Sequence, residues 1–195
     1  MERNLQQLSS LFLKFPGIGR RQAARFAYFI LTQPESYVAV LAKTLLEART
    51  HAHSCTKCHR VFEGSAGVCD ICSDTSRDQS TIVVVEKSQD IDSFEKTDYH
   101  GLFFVLGGLI PIVQKDILAG TNLNLLKDRI TKESPSELIL AFPLTPNGDH
   151  TDTVVRESLT SSTIKISSLG RGLSAGAELE YADAASLNAS IKKRE

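Results

Sequence analysis

The stretch Thr81-Ile82-Val83-Val84-Val85-Glu86 decides how the rest of the chain is read. It is a β-branched run without polar alternation, the pattern of a strand buried on both faces, and such strands belong to parallel sheets covered by helices. Outward from it the pattern repeats. Leu102-Phe103-Phe104-Val105-Leu106 is a second strand ending in Gly107-Gly108, Leu138-Ile139-Leu140-Ala141-Phe142 a third, and Ile164-Lys165-Ile166 a shorter fourth. Helical stripes alternate with them: Ile91 and Phe94 behind Ser88 as N-cap, then Leu123, Leu126 and Ile130 over 122–133, then Val154, Val155 and Leu159. Strands alternating with helices predict one α/β domain over 81–170 with a parallel sheet and right-handed crossovers. The polar run Ser73–Ser80 ahead of it reads as a linker or turn.

In such sheets functional groups collect at the carboxyl ends of the strands. Glu86 closes the first strand, and Asn147-Gly148-Asp149 follows the third. An acid in the first place and an acidic-Gly-acidic turn in the second is the arrangement with which Toprim domains hold magnesium. Here Asn147 stands where a second carboxylate is expected, so only Glu86 and Asp149 are anionic ligands. The competing reading has Glu86 serving the N–H groups of the next helix and Asp149 acting as an N-cap. That reading is favoured over a working magnesium site.

On the N-terminal side lie Cys55-Thr56-Lys57-Cys58 and Cys69-Asp70-Ile71-Cys72, which together hold all four cysteines of the chain. Two C-x2-C knuckles predict a tetrahedral thiolate site for structural zinc, with iron as the other metal that thiolates suit. Four thiolates close the coordination shell, so no catalytic water has a place. A redox dithiol needs only one knuckle, within a thioredoxin-like setting that is missing here. His51, His53 and His59 lie near enough in sequence to substitute as ligands but are read as solvated loop residues, and the metal as a staple between the N-terminal module and the body.

Further out, Phe15-Pro16-Gly17-Ile18-Gly19-Arg20-Arg21 is a tight turn between two helical patterns. Leu5, Leu8, Leu11, Phe12 and Phe15 mark the first helix, and Ala23, Phe26, Ala27, Ile30 and Leu31 the second. A third starts at Pro34 with Val38, Leu41, Leu45 and Ala48. A helix-hairpin-helix points backbone N–H groups outward at a helix N-terminus, where they cradle phosphate without reading bases. Arg20, Arg21 and Arg25 add charge. The plain alternative is an αα-hairpin with a solvated basic face.

Charge distribution supports a nucleic-acid face. Net charge is −1, yet residues 1–62 hold nine Lys/Arg against three acids, and no acid lies between Arg3 and Pro34. With 42% hydrophobic and 23% charged residues the composition is that of an ordinary soluble protein. The first residues carry no apolar run of the secretory type, so no membrane association is expected and the cytoplasm is the expected location. The tail 168–183 has three glycines but no Lys-Ser/Thr end, which argues against an ATPase. Asp183 is read as the cap of a last helix carrying Leu187 and Ile191. The domain boundaries expected are 1–52, 53–80, 81–170 and 171–195.

In this order the parts resemble the RecR family of bacterial recombination mediators. The resemblance rests on Phe15-Pro16-Gly17-Ile18-Gly19, the four cysteines, Val83-Val84-Val85-Glu86, Phe104-Val105-Leu106-Gly107-Gly108-Leu109-Ile110 and Glu178-Leu179-Glu180-Tyr181-Ala182-Asp183. It implies a multi-part α+β chain: helix-hairpin-helix, four-cysteine zinc finger, Toprim-like α/β domain and Gly-rich C-terminal segment. It also implies a non-enzymatic DNA clamp that assembles as homodimers or ring-like homotetramers, acting with RecO and RecF to load RecA on gapped or single-stranded DNA. Lys14, Gly17, Ile18, Gly19, Arg20, Arg21 and Arg25 are then the candidate nucleic-acid contacts, with Arg21 where a lysine is usual. Arg20 replaces a frequent proline, Gln22 a small hydroxyl residue, Asn147-Gly148-Asp149 a Glu-Gly-Glu turn, and Ala177 a glycine. Two other classes compete. A Toprim enzyme would perform magnesium-dependent strand chemistry through Glu86 and Asp149, although Tyr28, Tyr37, Tyr99 and Tyr181 have no nucleophile context. A zinc-ribbon adaptor would bind proteins alone.

Overall fold

The computed structural model describes residues 2–65, 67–113, 120–160 and 162–170, with isolated positions between 176 and 190. The Gly-rich segment and the last helix expected over 171–195, Asp183 and Ile191 included, lie outside the described residues apart from those positions. The chain divides into two compact units, Met1–Ala52 and His53–Glu195.

The second unit is built on a four-stranded parallel sheet in the order β4-β3-β5-β6. Its strands are β3 (Asp78–Val85), β4 (Gly101–Val105), β5 (Glu137–Ala141) and β6 (Lys165–Ser168). The period of two along a strand divides the core between the two faces. Ile82 and Val84 of β3, Leu102 and Phe104 of β4, and Leu138 and Leu140 of β5 pack with α6 (Leu123–Glu133) and α7 (Pro146–Ser158). Val83 and Val85, with Phe103 and Val105, face the other way, toward Ile91 of α5 (Ser88–Phe94) and the four cysteines. The chain leaves β3 toward β4, then crosses back to β5 on the other side of β3. A crevice opens at such a reversal, and Glu86 stands there.

Several boundaries differ from expectation for local reasons. Strand β3 begins at Asp78, three residues before the apolar run. The Asp78 carboxylate accepts from Ser80 N and Oγ and from Thr81 Oγ1, so the polar start of the strand is held by its own side chains. Ser88 is not the cap of α5. That place belongs to Lys87, whose N–H donates to Asp90 Oδ2 at 2.8 Å, while Ser88 Oγ accepts from Val61 N at 3.0 Å.

Ahead of the sheet lie β1 (Ala52–Ser54), β2 (Val61–Glu63) and the short α4 (Asp70–Ser73). Strands β1 and β2 pair with one another. The cysteines between and after them belong to the core of the second sheet face, so the finger is part of the α/β body.

The first unit contains α1 (Glu2–Phe12), α2 (Arg20–Thr32) and α3 (Glu35–His51). Helices α1 and α2 meet through Phe12, whose ring stands edge-on to Phe26 with centroids 5.7 Å apart. Among the described residues of this unit only Ala23 and Ala27 are buried. The stripe expected to be inside is therefore largely open: Phe26, Ile30, Val38, Leu41 and Ala48 are half-buried, and Leu31 and Leu45 are exposed.

Candidate nucleic-acid interface and metal centre

Residues 13–19 join α1 to α2 in a tight turn, in which Ile18 N donates to Phe15 O at 3.2 Å. Gly17 has φ +75°, a conformation that disfavours any residue with a Cβ. Gly19, at φ −85° and ψ 168°, is extended, as other residues can be. It is the N-cap of α2, and no side chain caps the helix. The N–H groups of the first turn thus keep their donor capacity at the positive end of the helix dipole. Lys14, Gly17, Gly19, Arg20, Arg21 and Arg25 are exposed around this end, and Ile18 is half-buried. No ion pair among the described residues engages Arg20, Arg21 or Arg25.

The four cysteines are buried, and their sulfurs lie within 4.8 Å of one another. Cys58 Sγ and Cys69 Sγ are 3.6 Å apart, close to the ~3.8 Å edge of a tetrahedron with 2.3 Å metal–sulfur bonds. Cys55 Sγ accepts from Cys58 N at 3.5 Å and from Cys69 N at 3.3 Å. Hydrogen bonding to Cys69 and Cys72, with burial, pushes the Cys58 thiol far up, whereas Cys69, accepting from Cys58 and Cys72, is drawn far down. Four converging buried sulfurs form a donor set suited to a soft dication. Among the described residues this is the only group of three or more Cys, His, Asp or Glu side chains that converges.

The histidines are not equivalent. His51 Nδ1 lies 2.8 Å from Glu47 O on α3. His59, expected in solvent, is half-buried at φ +61° with its ring edge-on to Phe104 at 5.2 Å. Burial, and then the Arg129 charge, lower its pKa and keep the imidazole neutral.

At the strand ends Glu86 is mostly covered and pairs with Lys87 Nζ at 2.9 Å. Asn147-Gly148-Asp149 lies within the first turn of α7, not in a turn ahead of it. Asp149 is not the N-cap. Thr145 is, its Oγ1 accepting from Gly148 N at 3.1 Å. Gly148 is required by packing, since a Cβ there would collide with the Pro143 carbonyl oxygen. Asn147 Oδ1 accepts from Ile112 N at 3.4 Å, a structural use of the carboxamide. Asp149 lines a cavity of about 220 Å³ with Phe142, Asp152, Ser168 and Gly170.

Three buried or bridging polar contacts were not among the sequence expectations. Arg129 is buried on α6, Thr151 Oγ1 accepts from Ile110 N at 2.8 Å, and Asn122 Nδ2 donates to Val105 O at 2.9 Å. Spacing carries a signal for two of them. Arg129 follows Leu126 by three residues, and Thr151 precedes Val155 by four, so both fall on buried stripes.

A basic uncapped hairpin, a tetrathiolate centre and a parallel α/β domain in one chain define a multi-part protein of helix-hairpin-helix and Toprim type. Family models agree: the RecR helix-hairpin-helix model matches residues 5–49, and the Toprim domain model residues 80–170. The recombination protein RecR of Porphyromonas gingivalis is 37% identical, covering 98% of this chain and 92% of its own. Those of Latilactobacillus sakei and Pediococcus pentosaceus are 33% and 36% identical, covering 98% and 97% of this chain and 96% of each relative. The chain belongs to the RecR family.

Proposed function

We propose that this chain is a non-enzymatic DNA-binding clamp of recombinational repair in the cytoplasm, working with RecO and RecF to promote RecA loading on gapped or single-stranded DNA. The observation that carries the reading is the uncapped N-terminus of α2, ringed by exposed Arg20, Arg21 and Arg25 in a stretch without acids. Phosphate meets N–H donors, dipole and guanidinium together there, with no group placed to read bases. Lys14, Gly17, Ile18 and Gly19 complete the surface. Zinc held by Cys55, Cys58, Cys69 and Cys72 has a structural role.

Assembly with further copies of the chain, as dimer or tetramer, fits the apolar surface of α3. Val40, Leu45 and Leu46 are 65%, 61% and 71% exposed. Magnesium-dependent strand chemistry is disfavoured, because Glu86 is engaged by Lys87 and Asn147 brings no charge.

The test is fluorescence anisotropy on gapped DNA across a salt series. Wild-type affinity is expected to fall linearly on a log–log plot, and Arg21→Glu/Arg25→Glu to bind weakly with a slope shallower by about 2. Equal slopes in the two proteins remove the hairpin from the phosphate contact. Magnesium-dependent nicking of supercoiled DNA that is lost in Glu86→Ala replaces the clamp with an enzyme.

A further inference from the structure

Strand β4 is an edge of the sheet, and an uncovered edge offers unpaired backbone groups to any other strand. Here the edge is sealed by the first cysteine knuckle. Val105 N donates to Cys58 O at 2.8 Å. Two residues back, Phe103 O accepts from Arg129 Nη1 at 2.7 Å, and the same nitrogen lies 3.4 Å from Lys57 O. Arg129 springs from α6, on the opposite face of the sheet from the cysteines. Its guanidinium therefore reaches round the rim of β4 and ties helix, edge strand and knuckle together.

Burying this charge is costly, and the visible compensation is partial. Glu133 Oε2 takes Nε at 2.8 Å, but Glu133 is itself partly exposed, and Nη2 is buried without an acceptor. A buried guanidinium with an unused N–H is destabilising unless negative charge lies nearby. A tetrathiolate zinc centre carries a net charge of −2, and the residue whose carbonyl Arg129 approaches directly precedes Cys58.

We propose that Arg129 is a positioning residue of the metal centre, a latch that holds the Cys55–Cys58 knuckle on the β4 edge and offsets the charge of the thiolates. The proposal rests on the reading of the cysteines as a zinc site. It makes zinc retention and closure of the sheet edge one event.

The other edge supplies the control. Arg156 of α7 pairs with Asp152 at 2.6 Å and donates to Ile166 O at 2.9 Å on β6, far along the sheet order from the cysteines. The experiment measures zinc content of the purified full chain and the rate of zinc release to the chelator 4-(2-pyridylazo)resorcinol. Arg129→Met, Arg129→Lys and Arg156→Met are compared with wild type, with thermal midpoints recorded alongside. Arg129→Met is expected to release zinc at least ~10-fold faster and Arg129→Lys to fall between, because it keeps charge but loses the planar fork. Arg156→Met is expected to lower the midpoint and leave the release rate unchanged. Should Arg129→Met not fold, Arg129→Lys decides by the same rate. Release at the wild-type rate in a folded Arg129 variant overturns the latch, as does equal acceleration in Arg156→Met, which would reduce the effect to general destabilisation. Wild-type protein free of metal overturns the zinc reading itself, and the latch with it.

Discussion

The two units spend their apolar residues in opposite ways. In His53–Glu195, Phe103 and Phe104 are adjacent in sequence and both fully buried, one on each face of the sheet. In Met1–Ala52 the only buried side chains among the described residues are the methyls of Ala23 and Ala27, while Phe15, Phe29 and Leu46 stand more than half exposed. A parallel sheet needs covering on both faces, and Ile82, Val83, Val84 and Val85 of β3 and all of β4 are buried. Three short helices offer one face each and too little area to enclose a core of their own. The second unit is thus shaped by its own packing, while the described residues of the first enclose almost no core.

The contrast is most sharply tested at the cysteines, which belong to the second unit's core. If the four cysteines hold zinc as proposed, its removal is expected to cost that unit on the order of 10 kcal/mol, and Cys58→Ser to act in the same direction. Hydrogen exchange should then rise across β3 and β4 while α2 is unchanged. Protection lost equally in both units would break the distinction. The next effect is cavity formation. Phe104→Ala should destabilise by about 4 kcal/mol in denaturant titration, and Leu45→Ala by under about 0.5 kcal/mol, as at other exposed positions. Light scattering tests the proposed self-assembly at the same place: Leu45→Glu/Leu46→Glu is expected to leave the thermal midpoint unchanged and lower the solution mass. The smallest effect concerns the β5–β6 edge. Hydrogen bonds from Ser167 Oγ and Lys165 Nζ hold the Glu137 carboxyl below its ordinary 4.5. A depressed carboxyl contributes stability above its unfolded pKa and loses it as pH falls through the folded one. Glu137→Gln should accordingly flatten the fall in thermal midpoint below about pH 4.5, and an unchanged acid limb would remove Glu137 from the account.

Much of the site was legible because its chemistry is local. Cys55, Cys58, Cys69 and Cys72 announce a metal centre by spacing, and Gly17 with Arg20 and Arg21 announces an exposed helix start. What stayed hidden depends on distant neighbours. His59 looks like a loop residue until Phe104, 45 positions away, supplies a ring to pack on. Gly148 looks like a turn glycine until the Pro143 carbonyl is brought against it. Arg129 looks like a helix-surface cation until its carbonyl partners at Lys57 and Phe103 are assembled around it.

The amino-acid sequence by itself determined the main strands and helices of the α/β domain, that its sheet is parallel, and where the four cysteines and the exposed arginines of the hairpin lie, since these follow from periodicity and short-range spacing. Tertiary structure alone decided that the finger seals the β4 edge and that α3 is left uncovered. It also decided that Asn147 accepts from Ile112 N, 35 positions away. Those outcomes turn on which backbone groups and surfaces meet across the fold, and no local pattern encodes such a meeting.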